Sequence, residues 1–173
     1  MRTIDKPMDG EYAPYATMYI DLLPDDKLVL THLKNNVETV KKLVLSLPPE
    51  KLLHRYAPGK WTIKEILVHI VDDERIYAYR ALQFARNDAT ELPGFEQDDY
   101  TAHSHADARD LSNILEEYEA VRTSTIAMFE GLEDQALTRS GVANGHLMSV
   151  RAAAYHIAGH ELHHLKIIKE RYS

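Results

Sequence analysis

Residues 149–171 read SVRAAAYHIAGHELHHLKIIKER, and the spacing within this run decides the kind of fold the chain adopts. No proline breaks it, and Ser149 is a good N-cap, so it predicts a helix from Ser149 to about Arg171. Successive helical residues turn by about 100°. With His160 at zero, Ala153 falls at about 20°, His164 at about 40°, Ile157 at about 60°, Ile168 at about 80° and Ile167 at about −20°. Both histidines therefore sit inside the apolar stripe, with His156 and His163 at its edge. A buried imidazole needs a hydrogen-bond partner or a metal ion. Two of them one turn apart on a core-facing stripe form a bidentate clamp.

His160 to His164 also spells the H-E-x-x-H pattern of zinc proteases. That site needs a third ligand well downstream, and only nine residues follow His164. Glu170 lies in the same helix at about −80° from His160, where it cannot close the site. The sequence also shows no supporting sheet. The protease reading is set aside, and the pair His160 and His164 is kept.

Three further helices show the same periodicity. The first runs from about Asp26 to Leu47, with Leu30, Leu33, Val37, Val40 and Val44 on one side. The second opens at "WTIKE", where Thr62 and Glu65 form a capping box, and runs to about Arg86. The third runs from about Asp107 to Gly131, with Leu111, Ile114, Tyr118, Val121, Thr125 and Met128 aligned. No stretch shows strand alternation bounded by hairpin turns. The expectation is one all-α domain over residues 1–173, an antiparallel four-helix bundle. Residues 1–24, with Pro7, Pro14 and Pro24 among tyrosines, read as an extended N-terminal arm. Asn87 to Ala106 forms a long crossover between helices two and three. It carries Phe95, Tyr100, His103 and His105, and reads either as a functional loop or as a solvated connection.

Composition excludes several classes of function. The chain has 173 residues, 45% hydrophobic and 27% charged, and no cysteine, so thiolate ligands and disulfides are ruled out. A metal would be held by histidine and carboxylate. No apolar run approaches the roughly 18 residues that span a bilayer, and the first residues lack the apolar core of a signal peptide. The net charge is −7 and no Lys/Arg cluster occurs, which argues against a nucleic-acid partner. A cytoplasmic protein without a membrane partner is the expectation.

A pair of ligands leaves a metal under-coordinated. His69 is the only histidine of the second helix and lies at the edge of its apolar face, from which it can point across the bundle toward His160 and His164. Three neutral imidazoles plus a water would make an open site of catalytic type. Taken alone, His69 would read as an ordinary boundary histidine. Asp73, one turn after His69, is placed to reach a metal-bound water. Glu74 and Glu161 fall among apolar residues, and a buried carboxylate must be paired or protonated. Either they orient a ligand histidine, as His156 could, or they form ion pairs between helices. Glu161 is also a candidate proton acceptor.

Together, "APGKWTIKEILVHIVDDERIYAYRAL" and the later "AAAYHIAGHELHHLKIIKERY" resemble the DinB-like superfamily, including its YfiT-type metal-dependent hydrolases. The segments "LPGFEQDDY" and "PYATMYIDLLP" add to the likeness, which covers nearly the whole chain. The resemblance implies a four-helix bundle with a long crossover and a divalent ion, zinc first and nickel second, on His69, His160 and His164. It implies a homodimer, and for characterised relatives transferases or isomerases that use a low-molecular-weight thiol such as bacillithiol or mycothiol. Two functional expectations follow. One is a metal-dependent enzyme acting on an electrophilic small molecule, by thiol transfer or by hydrolysis with metal-bound water. The other is a non-catalytic metal- or ligand-binding bundle, with His156 or His163 closing the coordination sphere.

Overall fold

The computed structural model describes residues 1–172. In chain order the elements are α1 (Thr17–Ile20), α2 (Val29–Leu45), α3 (Ile63–Ala85), α4 (Gln97–His103), α5 (Leu111–Glu130), the strands β1 (Ser140–Ala143) and β2 (His146–Ser149), and α6 (Val150–Arg171). The four long helices α2, α3, α5 and α6 form the expected all-α bundle. α3 packs along α5 and α6, and α2 closes the opposite sides of the same two helices.

The helix boundaries have local causes. At the start of α3, the Glu65 amide donates to the Thr62 hydroxyl at 3.1 Å, and the Thr62 amide donates to the Glu65 carboxylate at 2.8 Å. This reciprocal cap satisfies two otherwise orphaned amides. Asn87 ends α3 just past its last turn, with φ 62°. That left-handed conformation suits asparagine and stops a helix. Ser149 caps α6 by accepting from the Ala152 amide at 3.1 Å.

Direction explains the long crossover. Tyr172, just past α6, donates through its hydroxyl to the Trp61 carbonyl ahead of α3, so these two helices run antiparallel. By contrast, Lys64 reaches the Arg109 carbonyl at the start of α5, and Arg75 farther along α3 pairs with Glu117 farther along α5 at 2.6 Å. Adjacent α3 and α5 thus run parallel, and Lys41 of α2 pairing with Glu119 fits α2 antiparallel to α5. A chain that leaves the end of α3 and re-enters beside its start must travel back along the bundle. For a helix of this length that is about 30 Å. Residues 87–106 make that journey, and the sequence did not reveal that they fold α4 on the way.

Two expectations are corrected. A two-stranded hairpin is present: β1 pairs antiparallel with β2 through a turn at Asn144 and Gly145, with φ 54° and 73°. Two successive residues with positive φ are the signature of a type I′ turn, which asparagine followed by glycine favours. The signal is easily overlooked because each strand has only four residues. Leu92 of the crossover joins this hairpin, donating to the Val142 carbonyl at 3.0 Å and accepting from the Asn144 amide at 2.9 Å. The N-terminal arm lies over the bundle as expected, but it is not wholly extended. Pro14–Ala16 form a 3-10 turn that runs directly into α1. Ile4, Ala16, Ile20 and Leu23 are buried in the core. A β-carbon on Gly159 would come 2.1 Å from the Tyr19 carbonyl oxygen, so the absent side chain lets α1 lie directly on α6.

At the centre of the bundle Arg122 is 1% exposed. Its Nε donates to both oxygens of Glu74, at 3.0 and 3.1 Å, and its Nη2 to Glu161 at 2.7 Å. Its Nη1 donates to the Leu33 carbonyl at 2.7 Å. Asn36 and Tyr118 donate the remaining bonds to Glu161. One α5 side chain therefore ties α2, α3 and α6 together. Removing one member of such a cluster leaves buried charge uncompensated, which costs about 3–5 kcal/mol. Arg122→Leu is expected to lose that much in urea-induced unfolding; a loss under about 1 kcal/mol would show that the bundle does not rely on the cluster.

Candidate metal centre

Three imidazoles converge where α3 meets α6. His69 and His160 bring their Nε2 atoms to 3.0 Å, and His164 brings its Nε2 to 3.0 Å from the same atom of His160. One nitrogen from each of the three lies within 4.8 Å of the other two. His69, His160 and His164 are 3%, 4% and 9% exposed. The one-turn spacing on α6 and the antiparallel approach of α3 create this convergence.

Asp73 stands behind the cluster. Its Oδ2 lies 3.3 Å from Nδ1 of His160 and 3.3 Å from Nε2 of His156. Burial raises the Asp73 carboxyl, and the imidazoles of His160 and His156 that approach it lower it. An ionised carboxylate at Nδ1 favours the tautomer with the proton on Nδ1. The Nε2 lone pair of His160 then faces its two neighbours. Three buried imidazole nitrogens that meet at one point suit a cation, and a carboxylate behind a ligand imidazole is the usual supporting partner. The donor set therefore fits a divalent ion.

Burial also keeps the cluster neutral. Desolvation pushes His160 down to about 3 and His164 down to about 2, and lowers His69. Metal binding requires that neutral form.

Aromatic rings wall the cluster. Trp61 lies 4.7 Å from the His69 ring. Tyr19 of α1 meets the rings of His156, His160 and His163 edge-on at 5.2, 5.3 and 5.3 Å. Tyr77 stacks on His156 at 3.6 Å, and its hydroxyl lies 3.2 Å from that of Tyr15. Two clefts approach from outside. One runs past Tyr15, Tyr77, Arg80 and Phe95 to Asp73 and His160. The other runs past Tyr56, Lys60 and Trp61 to His164. Gln97 of α4 borders both, so the crossover separates two routes to one cluster.

The profile of the DinB superfamily matches residues 32–168. The chain belongs to that superfamily. It is 27% identical over 143 residues to a protein of Oceanobacillus iheyensis that carries the name of a candidate metal-dependent hydrolase, with 81% of each chain covered. Its fold is similar to that of YfiT from Bacillus subtilis, described as a probable metal-dependent hydrolase with an unusual four-helix bundle topology. The TM-score is 0.76 at 17% identity, covering 84% of this chain and 85% of that one.

Among the residues singled out from sequence, the structure gathers His69, His160 and His164 at one point and sets Asp73 and His156 beside them. It takes Glu74 and Glu161 elsewhere: both carboxylates bind Arg122, so neither a proton-accepting Glu161 nor a Glu74 orienting a ligand histidine matches their placement. His163 stays at the edge, and His103 hydrogen-bonds to the Asp99 carbonyl within α4. Sequence reasoning missed Tyr19, Tyr77, Arg80 and Gln97. Arg80 falls about 20° from His69 around the helix, so its place on the site face was readable; Tyr19 left no such signal.

A prediction follows from the neutral histidines. Below the ordinary histidine pKa of about 6.5 the unfolded chain takes up protons that the buried imidazoles refuse, so stability falls as pH falls. Metal-stripped protein should therefore lose about 1.4 kcal/mol per pH unit for each histidine kept neutral, between about pH 6.5 and 4. Urea unfolding across that range measures it, and a flat profile would mean that the imidazoles are not held neutral.

Proposed function

We propose that this chain is a divalent-metal-dependent hydrolase acting on an electrophilic small molecule, with His69, His160 and His164 holding the metal. The observation that carries this reading is the convergence of three Nε2 atoms in front of a buried carboxylate, beside open clefts. The names of the two relatives point the same way. Three neutral imidazoles suit zinc first and nickel second. Such an ion, when bound, supplies Lewis acidity and brings the pKa of a coordinated nucleophile near neutrality.

The chain's own residues set the conditions. Asp73 is a positioning residue: it holds the proton on Nδ1 of His160, so that Nε2 stays a donor to the metal. Tyr19 and Trp61 exclude bulk water from the two sides of the cluster. His156 sets Nε2 3.3 Å from the Asp73 carboxylate, and the nitrogens that gather at one point are those of His69, His160 and His164. That favours an enzyme over a closed, non-catalytic binding site.

A second reading, thiol transfer, is favoured by one specific feature. The two clefts reach the cluster from opposite sides of Gln97, which gives room for two reactants. With no cysteine in the chain, the thiol would be a free low-molecular-weight one.

Protein purified without a histidine tag is expected to contain about one divalent ion per chain by elemental analysis, and His160→Ala to contain almost none. Stoichiometric metal in His160→Ala would refute the ligand set. Asp73→Asn should keep the fold but weaken metal affinity about 10–100-fold, read by competition with a chromogenic chelator. Turnover of activated esters and of alkylating electrophiles, with and without added thiols, then separates the two chemistries: hydrolysis proceeds without thiol, and transfer requires it.

A further inference from the structure

α3 carries a cation for which the metal chemistry provides no use. Arg80 is 4% exposed, yet no carboxylate among the described residues lies within ion-pair distance of it. Its contacts are one hydrogen bond from Nη2 to the Pro93 carbonyl at 3.0 Å and the face of the Tyr77 ring, 4.9 Å from its guanidinium carbon. The other buried arginine, Arg122, is surrounded by two glutamates. A guanidinium carries five N–H donors, and the Arg80 nitrogens without a protein partner are not sealed from solvent, so they are open to an anion in the cleft they border.

Its position indicates what that ligand would be. Arg80 borders the cleft that ends at Asp73 and His160. It lies about 10 Å farther along the α3 axis than Asp73, on the same face. It also borders a neighbouring pocket lined by Ile76, Tyr79, Leu92, Phe95 and Tyr100, which is mostly apolar. The Phe95 and Tyr100 rings lie 5.2 Å apart there. The cleft acid nearest in sequence to this wall, Glu96, is exposed and makes no ion pair with Arg80.

We propose that Arg80 is a specificity-determining residue that binds the carboxylate of an organic acid, whose apolar or aromatic body rests on Phe95 and whose reacting end points along the cleft to the histidine cluster. The planar fork of the guanidinium matches a carboxylate in two parallel hydrogen bonds. The proposal rests on the enzyme reading only for the direction in which the ligand points; the anion site itself stands on Arg80 and its pocket.

The test uses 4-fluorobenzoate and its neutral counterpart 4-fluorobenzamide, titrated by 19F NMR into both metal-loaded and metal-stripped protein. The acid is expected to bind at least about 10-fold more tightly than the amide in both forms. Arg80→Gln, which keeps a donor for the Pro93 carbonyl, should lose that preference while keeping its metal content and thermal midpoint. Arg80→Lys should keep a weakened preference. Equal binding of acid and amide to the wild-type protein would overturn the proposal whatever the variants do. So would a preference that survives in Arg80→Gln, or one that disappears with the metal, since coordination and not Arg80 would then hold the carboxylate. Loss of metal from the wild-type protein would instead sink the enzyme reading and leave the anion site standing.

Discussion

The buried contact of Arg122 with Glu74 and Glu161 sets the geometry on which the rest of the molecule depends. Glu74 directly follows Asp73 on α3, and Glu161 directly follows His160 on α6. Clamping both carboxylates to one guanidinium fixes the axial register of α3 against α6. A slip of one residue along either helix would move a side chain by about 1.5 Å and rotate it by about 100°, which would take His69 out of reach of His160. The charge cluster on one side of each helix therefore holds in place the nitrogen cluster on the adjoining side. Burial raises the Glu74 carboxyl against the pull of Arg122, as expected for two acids sharing one cation. Such a cluster is a costly way to fill a core. Its specific geometry gives a reason to keep it: apolar side chains of the same volume would tolerate sliding.

The sequence made most of this scaffold legible. The four long helices follow from apolar periodicity, and their ends from Thr62, Ser149 and the residues that stop each run. The pairing of His160 with His164 follows from helical angles; those angles put His69 only at the edge of an apolar face, and its choice as third ligand rests on the resemblance to the DinB-like superfamily. What the sequence hid was relative direction. Periodicity says which face of a helix is buried but not which neighbour lies against it. The parallel run of α3 and α5, and with it the reason for a twenty-residue crossover, appeared only in the ion pairs Arg75–Glu117 and Lys64 with the Arg109 carbonyl. The same blindness explains Glu74 and Glu161. Their angles placed them on inner faces, but only the position of Arg122 on a third helix shows that they face each other across a cation and not the histidines.

The short elements show a different limit. The hairpin was announced by Asn144–Gly145, a strong turn signal flanked by strands too short to show alternation. α4 has seven residues and makes no capping bond through a side chain at its N-cap, so little in its own sequence marks it. Both are held by tertiary contact. The Leu92 bridge stitches the crossover to the hairpin, and Arg80 holds the Pro93 carbonyl beside it. The crossover is thereby ordered enough for Gln97 to stand between the two routes into the cluster.

The contact of α1 with Gly159 brings two parts of the chain together at the histidine cluster. The matching superfamily segment begins at residue 32, so the three imidazoles and Asp73 lie inside the shared region, while Tyr15 and Tyr19 lie outside it. The histidine cluster is thus built from the matched part of the chain, and one wall of its entrance from the segment ahead of it. Ile4, Ile20 and Leu23 of that leading segment are buried in the same core as the bundle, so the wall and the helices form one folded unit. A change in the leading segment therefore reaches the entrance to the cluster and the packing beneath it together.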